Sequence, residues 1–207
     1  MSANNKNTTL KDTLALFLIT LVAGLALGFV YKITEGPIQA LKDAEKAEAY
    51  QAVYADAAKF VEIDGFTDVI DTSKAVLEGD AGITGTVIEE VLEARSSSDE
   101  VLGYVFKVSN SEGYGGEVPI TIGVAKDGTI NAIEVLANSE TSGFGSRASE
   151  PEFKDQFKGI KAEQIEYTKD GKSADNQIDA ISGATRTTSA VTKDVNAALY
   201  YVHNCLQ

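Results

Sequence analysis

The sequence predicts an α+β protein: a single transmembrane helix and a stalk helix at the N-terminus, then an antiparallel-sheet domain with a C-terminal helix. Three observations lead there. Residues 13–31 carry no charge, apolar residues fall into strand-length runs from about Gly82, and they return at helical spacing from Thr185 to Leu206. At 207 residues the chain has room for one well-buried domain plus an accessory segment, since domains usually run to roughly 100–150 residues.

The run from Thr13 to Tyr31, TLALFLITLVAGLALGFVY, comes first. At about 1.5 Å of rise per residue such a helix nearly crosses a hydrocarbon core of roughly 30 Å. A cleaved signal peptide would have a shorter apolar region and a small-residue cleavage site. The run ends instead in GFVYKITEGP, so an uncleaved anchor is expected. Lys6 and Lys11 precede it and only Lys32 follows closely, which predicts a cytoplasmic N-terminus and a domain outside. Gly24 and Gly28 form a GxxxG pair that permits close approach of another membrane helix.

Next, GPIQALKDAEKAEAYQAVYADAAKF reads as an amphipathic stalk, with Pro37 in its first turn and Ile38, Leu41, Val53, Ala57 and Phe60 near one face. The expected organisation is a cytoplasmic segment over 1–12, an anchor over 13–31, a stalk helix over 32–62 and an extracytoplasmic domain over 63–207. Within that domain, ITGTVIEEVLEAR, VLGYVFKVS, EVPITIGVA and INAIEVLAN read as strands, with Lys126-Asp127-Gly128 turning the last pair. SETSGFGSR is a Gly- and Ser-rich loop, and Ser149-Glu150-Pro151-Glu152 fits a capping box opening a short helix through Phe153 and Phe157. Val191, Val195, Ala198, Leu199, Val202 and Leu206 form the stripe of the final helix.

Composition narrows the function. A net charge of −13 and a pI near 4.5 argue against nucleic acid as a partner. With one cysteine, Cys205, and one histidine, His203, the chain can build neither an internal disulfide nor a site of several imidazoles. No catalytic triad and no metal site is expected.

The chemistry concentrates in DAISGATRTTSAV, residues 179–191. A helix opening at SGAT offers unpaired N–H groups and the positive end of its dipole, and Gly183 lets a ligand approach the backbone, which suits a phosphate. The competing reading is that Ser182 or Thr185 is an ordinary N-cap.

Asp179-Ala180-Ile181-Ser182-Gly183-Ala184-Thr185 resembles the D-x-x-S/T-G-A-T flavinylation motif of the FMN-binding domain family. That domain occurs in the G subunit of Rnf electron-transport complexes and in the C subunit of sodium-pumping NADH:quinone reductases. Glu140-Thr141-Ser142-Gly143-Phe144-Gly145 is similar to the family's E-T-P-G-L-G loop, with serine and phenylalanine in place of proline and leucine. Gly113-Tyr114-Gly115-Gly116 resembles its G-Y-G-G turn.

The resemblance implies FMN joined by a phosphoester to Thr185, installed by a flavin transferase. It gives Ser182, Gly183, Ala184, Thr187, Thr188, Glu140, Thr141, Gly143, Gly145 and Tyr114 as residues of the cofactor site. Alternatives stand beside several of these roles. Ser182, Thr187 and Thr188 either meet the phosphate and ribityl chain or cap and solvate the helix; Glu140 and Thr141 either reach the flavin or anchor their loop. Tyr114 either shields the ring or only turns the chain, Arg186 is a phosphate partner or a solvated charge, and Asp179 is read by the transferase, positions magnesium or fixes the turn.

The implied function is electron transfer through covalent FMN, in a prokaryotic cytoplasmic-membrane complex with other membrane and iron–sulfur subunits. Such a complex couples reduced ferredoxin and NAD to sodium or proton transport, and this component would have no turnover alone. The compact chain favours the G subunit of the Rnf complex over the C subunit of the quinone reductase, and an anchored scaffold without flavin is the rival from another class.

Overall fold

The computed structural model describes residues 3–136 and 140–206, the side chains of residues 3–8, 67 and 68 excepted. It divides into two compact units, residues 1–46 and 47–207.

Helix α1 runs over Ala3–Val53. In the first unit its apolar side chains, among them Leu14, Phe17, Leu25 and Phe29, are exposed. Thr13, Thr20 and Thr34 donate their hydroxyls to the carbonyls of Thr9, Leu16 and Val30, so these polar groups need no water within an apolar helix. Pro37 lies inside α1 rather than opening a separate stalk helix. A proline there removes one backbone hydrogen bond, and the strong helix formers of QALKDAEKAEA carry the helix past it. The helix stops at Val53, short of the stalk's expected end at residue 62, because residues 59–62 pair as a strand.

The second unit is built on an antiparallel sheet of five strands in sequential order. They are β1 (Lys59–Glu62), β2 (Thr86–Arg95), β3 (Val101–Asn110), β4 (Val118–Ala125) and β5 (Ile130–Val135). Helix α2 (Thr67–Val76) and a π-turn at Leu77–Ala81 connect β1 to β2. The β4–β5 hairpin turns at Gly128, with φ of 84°, while the Asp127 carboxylate accepts from the Thr129 N–H at 3.0 Å.

One face of the sheet carries Ile88, Phe106, Val108, Ile120, Ile122 and Val124 into the main core. Against them packs α4 (Thr185–Cys205), whose Val191, Val195, Ala198, Leu199 and Val202 are all fully buried. The other face is covered by the last turn of α1 and the residues after it: Tyr50, Val53, Tyr54 and Ala57 pack on Leu92, Ala94 and Val105. Gly123 permits this, since a Cβ there would strike the Val53 carbonyl.

Between β5 and α4 the chain forms a 3₁₀ turn (Gly145–Ser149), α3 (Pro151–Lys154) with a second 3₁₀ turn to Phe157, and a parallel pair, β6 (Glu166–Thr168) and β7 (Gln177–Asp179). The expected capping box does not form. Ser149 donates to the Ser146 carbonyl at 2.8 Å, and Glu150 occupies the cap position without a side-chain bond.

Candidate functional site

Strand β7 delivers the chain to the start of α4 through a turn held by two neighbours. Gln156 brackets Asp179, accepting from its N–H at 2.6 Å and donating to its carbonyl at 3.4 Å. Thr188 accepts from the Ile181 N–H at 3.1 Å and donates to the Ala184 carbonyl at 3.1 Å. The turn is therefore not fixed by the Asp179 carboxylate, which is exposed and makes no hydrogen bond among the described residues. Gly183, at φ of 80°, closes the turn.

Helix α4 begins without a cap. Ala184 holds the cap position and supplies no side-chain bond. The first helical hydrogen bond runs from the Thr188 N–H to the Ala184 carbonyl at 3.0 Å, which leaves the N–H groups of Thr185, Arg186 and Thr187 without a helical acceptor. Neither Ser182 nor Thr185 acts as the N-cap.

The hydroxyls of this stretch divide sharply. Those of Thr187 and Thr188 are buried and bonded within the protein, to Glu140 and to the turn. Those of Thr185 and Ser182 make no hydrogen bond among the described residues.

Beside Thr185 lies a cavity of about 470 Å³ lined by Tyr114, Glu140, Thr141, Phe144, Gly145 and residues 183–187, within the roughly 300–1,000 Å³ of small-molecule sites. Three segments far apart in sequence meet there: the β3–β4 turn, the loop entering the 3₁₀ turn, and the start of α4. Tyr114 and Phe144 are 70% and 53% exposed at the cavity and together offer it an apolar surface.

Of the expected site residues, Thr185, Gly183, Ala184, Thr187, Glu140, Thr141, Gly145 and Tyr114 line this cavity. Ser182 lines a neighbouring cleft with Asp179 and Gln156. Gly143, at φ of 77°, donates its N–H to the Ser146 hydroxyl at 3.0 Å and turns the loop. Thr188 lies beneath the turn rather than in the wall.

Phe144 and Arg186 also line the cavity, though neither belongs to the set of cofactor residues that the resemblance gives. An aromatic residue flanked by two glycines in a polar loop is the sequence signal for the first, and a cation next to the threonine of the motif for the second. Arg186 adds positive potential that reaches Glu112, whose carboxyl lies below its ordinary pKa chiefly because Lys193 bonds it at 2.5 Å.

This arrangement fits FMN. A phosphate would find three N–H groups without a helical acceptor among the described residues, the positive end of a 21-residue helix and a guanidinium. The Thr185 hydroxyl makes no hydrogen bond among the described residues, and a planar ring would find aromatic side chains at the wall.

Sequence comparison with known proteins, by family model and by curated relatives, points the same way. The model of the FMN-binding domain matches residues 113–200, which contain all three motifs. The chain is 34% identical over 195 residues to the G subunit of the Na(+)-translocating ferredoxin:NAD(+) oxidoreductase complex of Acetobacterium woodii, covering 92% of this chain and 90% of that one. It is 30% identical over 200 residues to the G subunit of the proton-translocating ferredoxin:NAD(+) oxidoreductase complex of Clostridium ljungdahlii, covering 93% and 94%. Among solved structures, the C subunit of the Na(+)-translocating NADH-quinone reductase of Parabacteroides distasonis aligns with a TM-score of 0.46 at 28% identity, over 54% of this chain and 60% of that one.

Proposed function

From a chain that belongs to the family of FMN-binding G subunits of ion-translocating ferredoxin:NAD oxidoreductase complexes, we infer an electron-transferring component that carries its FMN covalently on Thr185. The observation that carries the attachment is the Thr185 hydroxyl, which lines the cavity, makes no bond within the described residues and sits on the first residue of an uncapped helix.

When bound, FMN supplies one- and two-electron transfer through its isoalloxazine. Everything else falls to this chain. The N–H groups of residues 185–187 and Arg186 would hold the phosphodiester charge, and Gly183 would give it access to the backbone. Tyr114 and Phe144 would meet the ring, with Glu140, Thr141 and Gly145 completing the cavity wall, and Ser182 would be available to the phosphate from the adjoining cleft.

In this reading a flavin transferase attaches the cofactor after folding, approaching across the exposed stretch of Asp179, Ser182 and Gly183. The apolar helix anchors the protein in the prokaryotic cytoplasmic membrane. Its N-terminus lies in the cytoplasm, and the domain from about residue 63 lies outside and meets membrane and iron–sulfur partner subunits. A tethered flavin stays with the complex there.

Expression of the full chain with a flavin transferase tests this. The expected product has the mass of the chain plus one FMN less one water, and its flavin fluorescence survives denaturing electrophoresis. Thr185→Ala is expected to lose both signals while keeping its fold. A Thr185→Ala protein that retains the full flavin load overturns the attachment.

A further inference from the structure

Glu140 stands at the point where the three segments of the site meet. One carboxylate oxygen accepts from the Gly115 N–H at 3.1 Å, which ties it to the β3–β4 turn. The other accepts from the Thr187 hydroxyl at 2.9 Å, which ties it to the first turn of α4. Two glycines give it room. A Cβ at Gly145 would lie 2.8 Å from both the carboxylate carbon and the Thr187 hydroxyl, and one at Gly113 would lie 2.7 Å from the carboxylate oxygen that Gly115 bonds, after first striking the Gly116 carbonyl and, at 2.5 Å, Val118.

Gly145 in the loop thus leaves room chiefly for this side chain, and Gly113 leaves room for it together with the turn's own Gly116 carbonyl and Val118. Tyr114 follows Gly113 and Phe144 precedes Gly145, so the aromatic walls of the cavity belong to the segments that Glu140 joins. Thr187, the donor from the helix, lies two residues beyond the attachment threonine on the same opening turn.

We propose that Glu140 is a positioning residue: a clasp that, through Thr187 and the Gly115 N–H, holds the aromatic walls in register with the Thr185 hydroxyl. The proposal rests on FMN occupying this cavity. It assigns Glu140 a role other than direct contact with the flavin. A carboxylate suits the task because it accepts from two donors at once, and charge-assisted bonds are stronger than neutral ones.

The Thr187→Val substitution separates the two roles, since it removes the hydroxyl from the clasp while keeping shape and leaving Glu140 in place. The full chain and its variants are expressed with a flavin transferase. Covalent flavin per chain is followed over time, and the anisotropy of the attached flavin is measured in detergent.

Thr187→Val and Glu140→Ala are each expected to slow flavin incorporation about tenfold, because small misplacements of reacting groups have effects of that size or larger. The double variant is expected to be no slower than the slower single one, since both remove the same contact. Glu140→Gln is expected to keep most of the rate: its amide oxygen still accepts from Gly115, and its amide N–H donates to the Thr187 hydroxyl. Flavin that does attach to Thr187→Val is expected to be more mobile, with lower anisotropy.

Wild-type incorporation rate and anisotropy in Thr187→Val overturn the clasp, as do losses that multiply in the double variant. Where Glu140→Ala does not fold, Glu140→Gln and Thr187→Val carry the comparison. A wild-type chain that takes no flavin at all would instead sink the assignment of Thr185.

Discussion

Asp194 lies fully buried on the side of α4 that faces the sheet. One of its oxygens accepts from the Thr86 hydroxyl at 3.0 Å, and that hydroxyl in turn accepts from the Asn110 amide at 2.8 Å. Among the described residues the other oxygen makes no hydrogen bond. Burial, above all, pushes this carboxyl well above its ordinary pKa, so the folded protein keeps a proton on it where an unfolded chain does not. The sign follows directly. Below about pH 4 both states are protonated, and the stability associated with the raised pKa is fully present. As pH rises through the gap to the folded value, the unfolded state releases the proton first and stability falls. Asp194→Asn keeps an acceptor for Thr86 and removes the titration. Thermal unfolding at pH 5 and pH 8 is expected to show a smaller loss of stability in Asp194→Asn than in the wild type, by up to roughly 1.4 kcal/mol per pH unit within the gap. Equal losses in the two proteins would mean that Asp194 does not hold a proton.

The turn that opens α4 depends on Gly183 for two separate reasons. Its φ of 80° disfavours any side chain, and a Cβ there would lie 3.0 Å from the Phe144 ring. Gly183→Ala is therefore expected to cost about 1 kcal/mol of stability from the backbone alone, and to displace Phe144 from the cavity. Reduced covalent flavin load together with a lowered Tm is the expected result, and an unchanged load would show that the flavin does not need Phe144 where it stands. Elements with a strong period were legible from the sequence: every member of the α4 stripe from Val191 to Val202 is buried, and the strands from β2 to β5 lie where alternation placed them. Short elements were not. β6 and β7 have three residues each, too few to show a period, and the 3₁₀ turns draw their bonds from loop residues. Pro37 marked a break that does not occur. The three motifs gave most of the cavity wall, whereas the clasp between Glu140 and Thr187 joins residues 47 positions apart and leaves no local pattern to read.

The chain as a whole sets a membrane-anchored helix before a unit that starts at Ala47, some residues before its first strand. The reason for that early start is the outer sheet face, where Tyr50, Val53 and Tyr54 cover Leu92, Ala94 and Val105. Tyr50 also donates to the Glu90 carboxylate of β2, and burial together with that carboxylate raises the pKa of its phenol. Two truncations follow. A chain beginning at Ala47 lacks the apolar run but keeps the whole cover, and it is expected to leave the membrane fraction, stay monomeric and unfold cooperatively. A chain beginning at Ala58 also lacks the cover. It loses three large buried side chains worth about 1.5–3 kcal/mol each, against a total stability of roughly 5–15 kcal/mol, and exposes an apolar sheet face. It is expected to aggregate or to unfold at a much lower temperature, even though every residue of the flavin cavity is still present. Equal Tm values for the two truncated chains would show that the end of α1 is a connector only, and that the stable domain begins with the sheet.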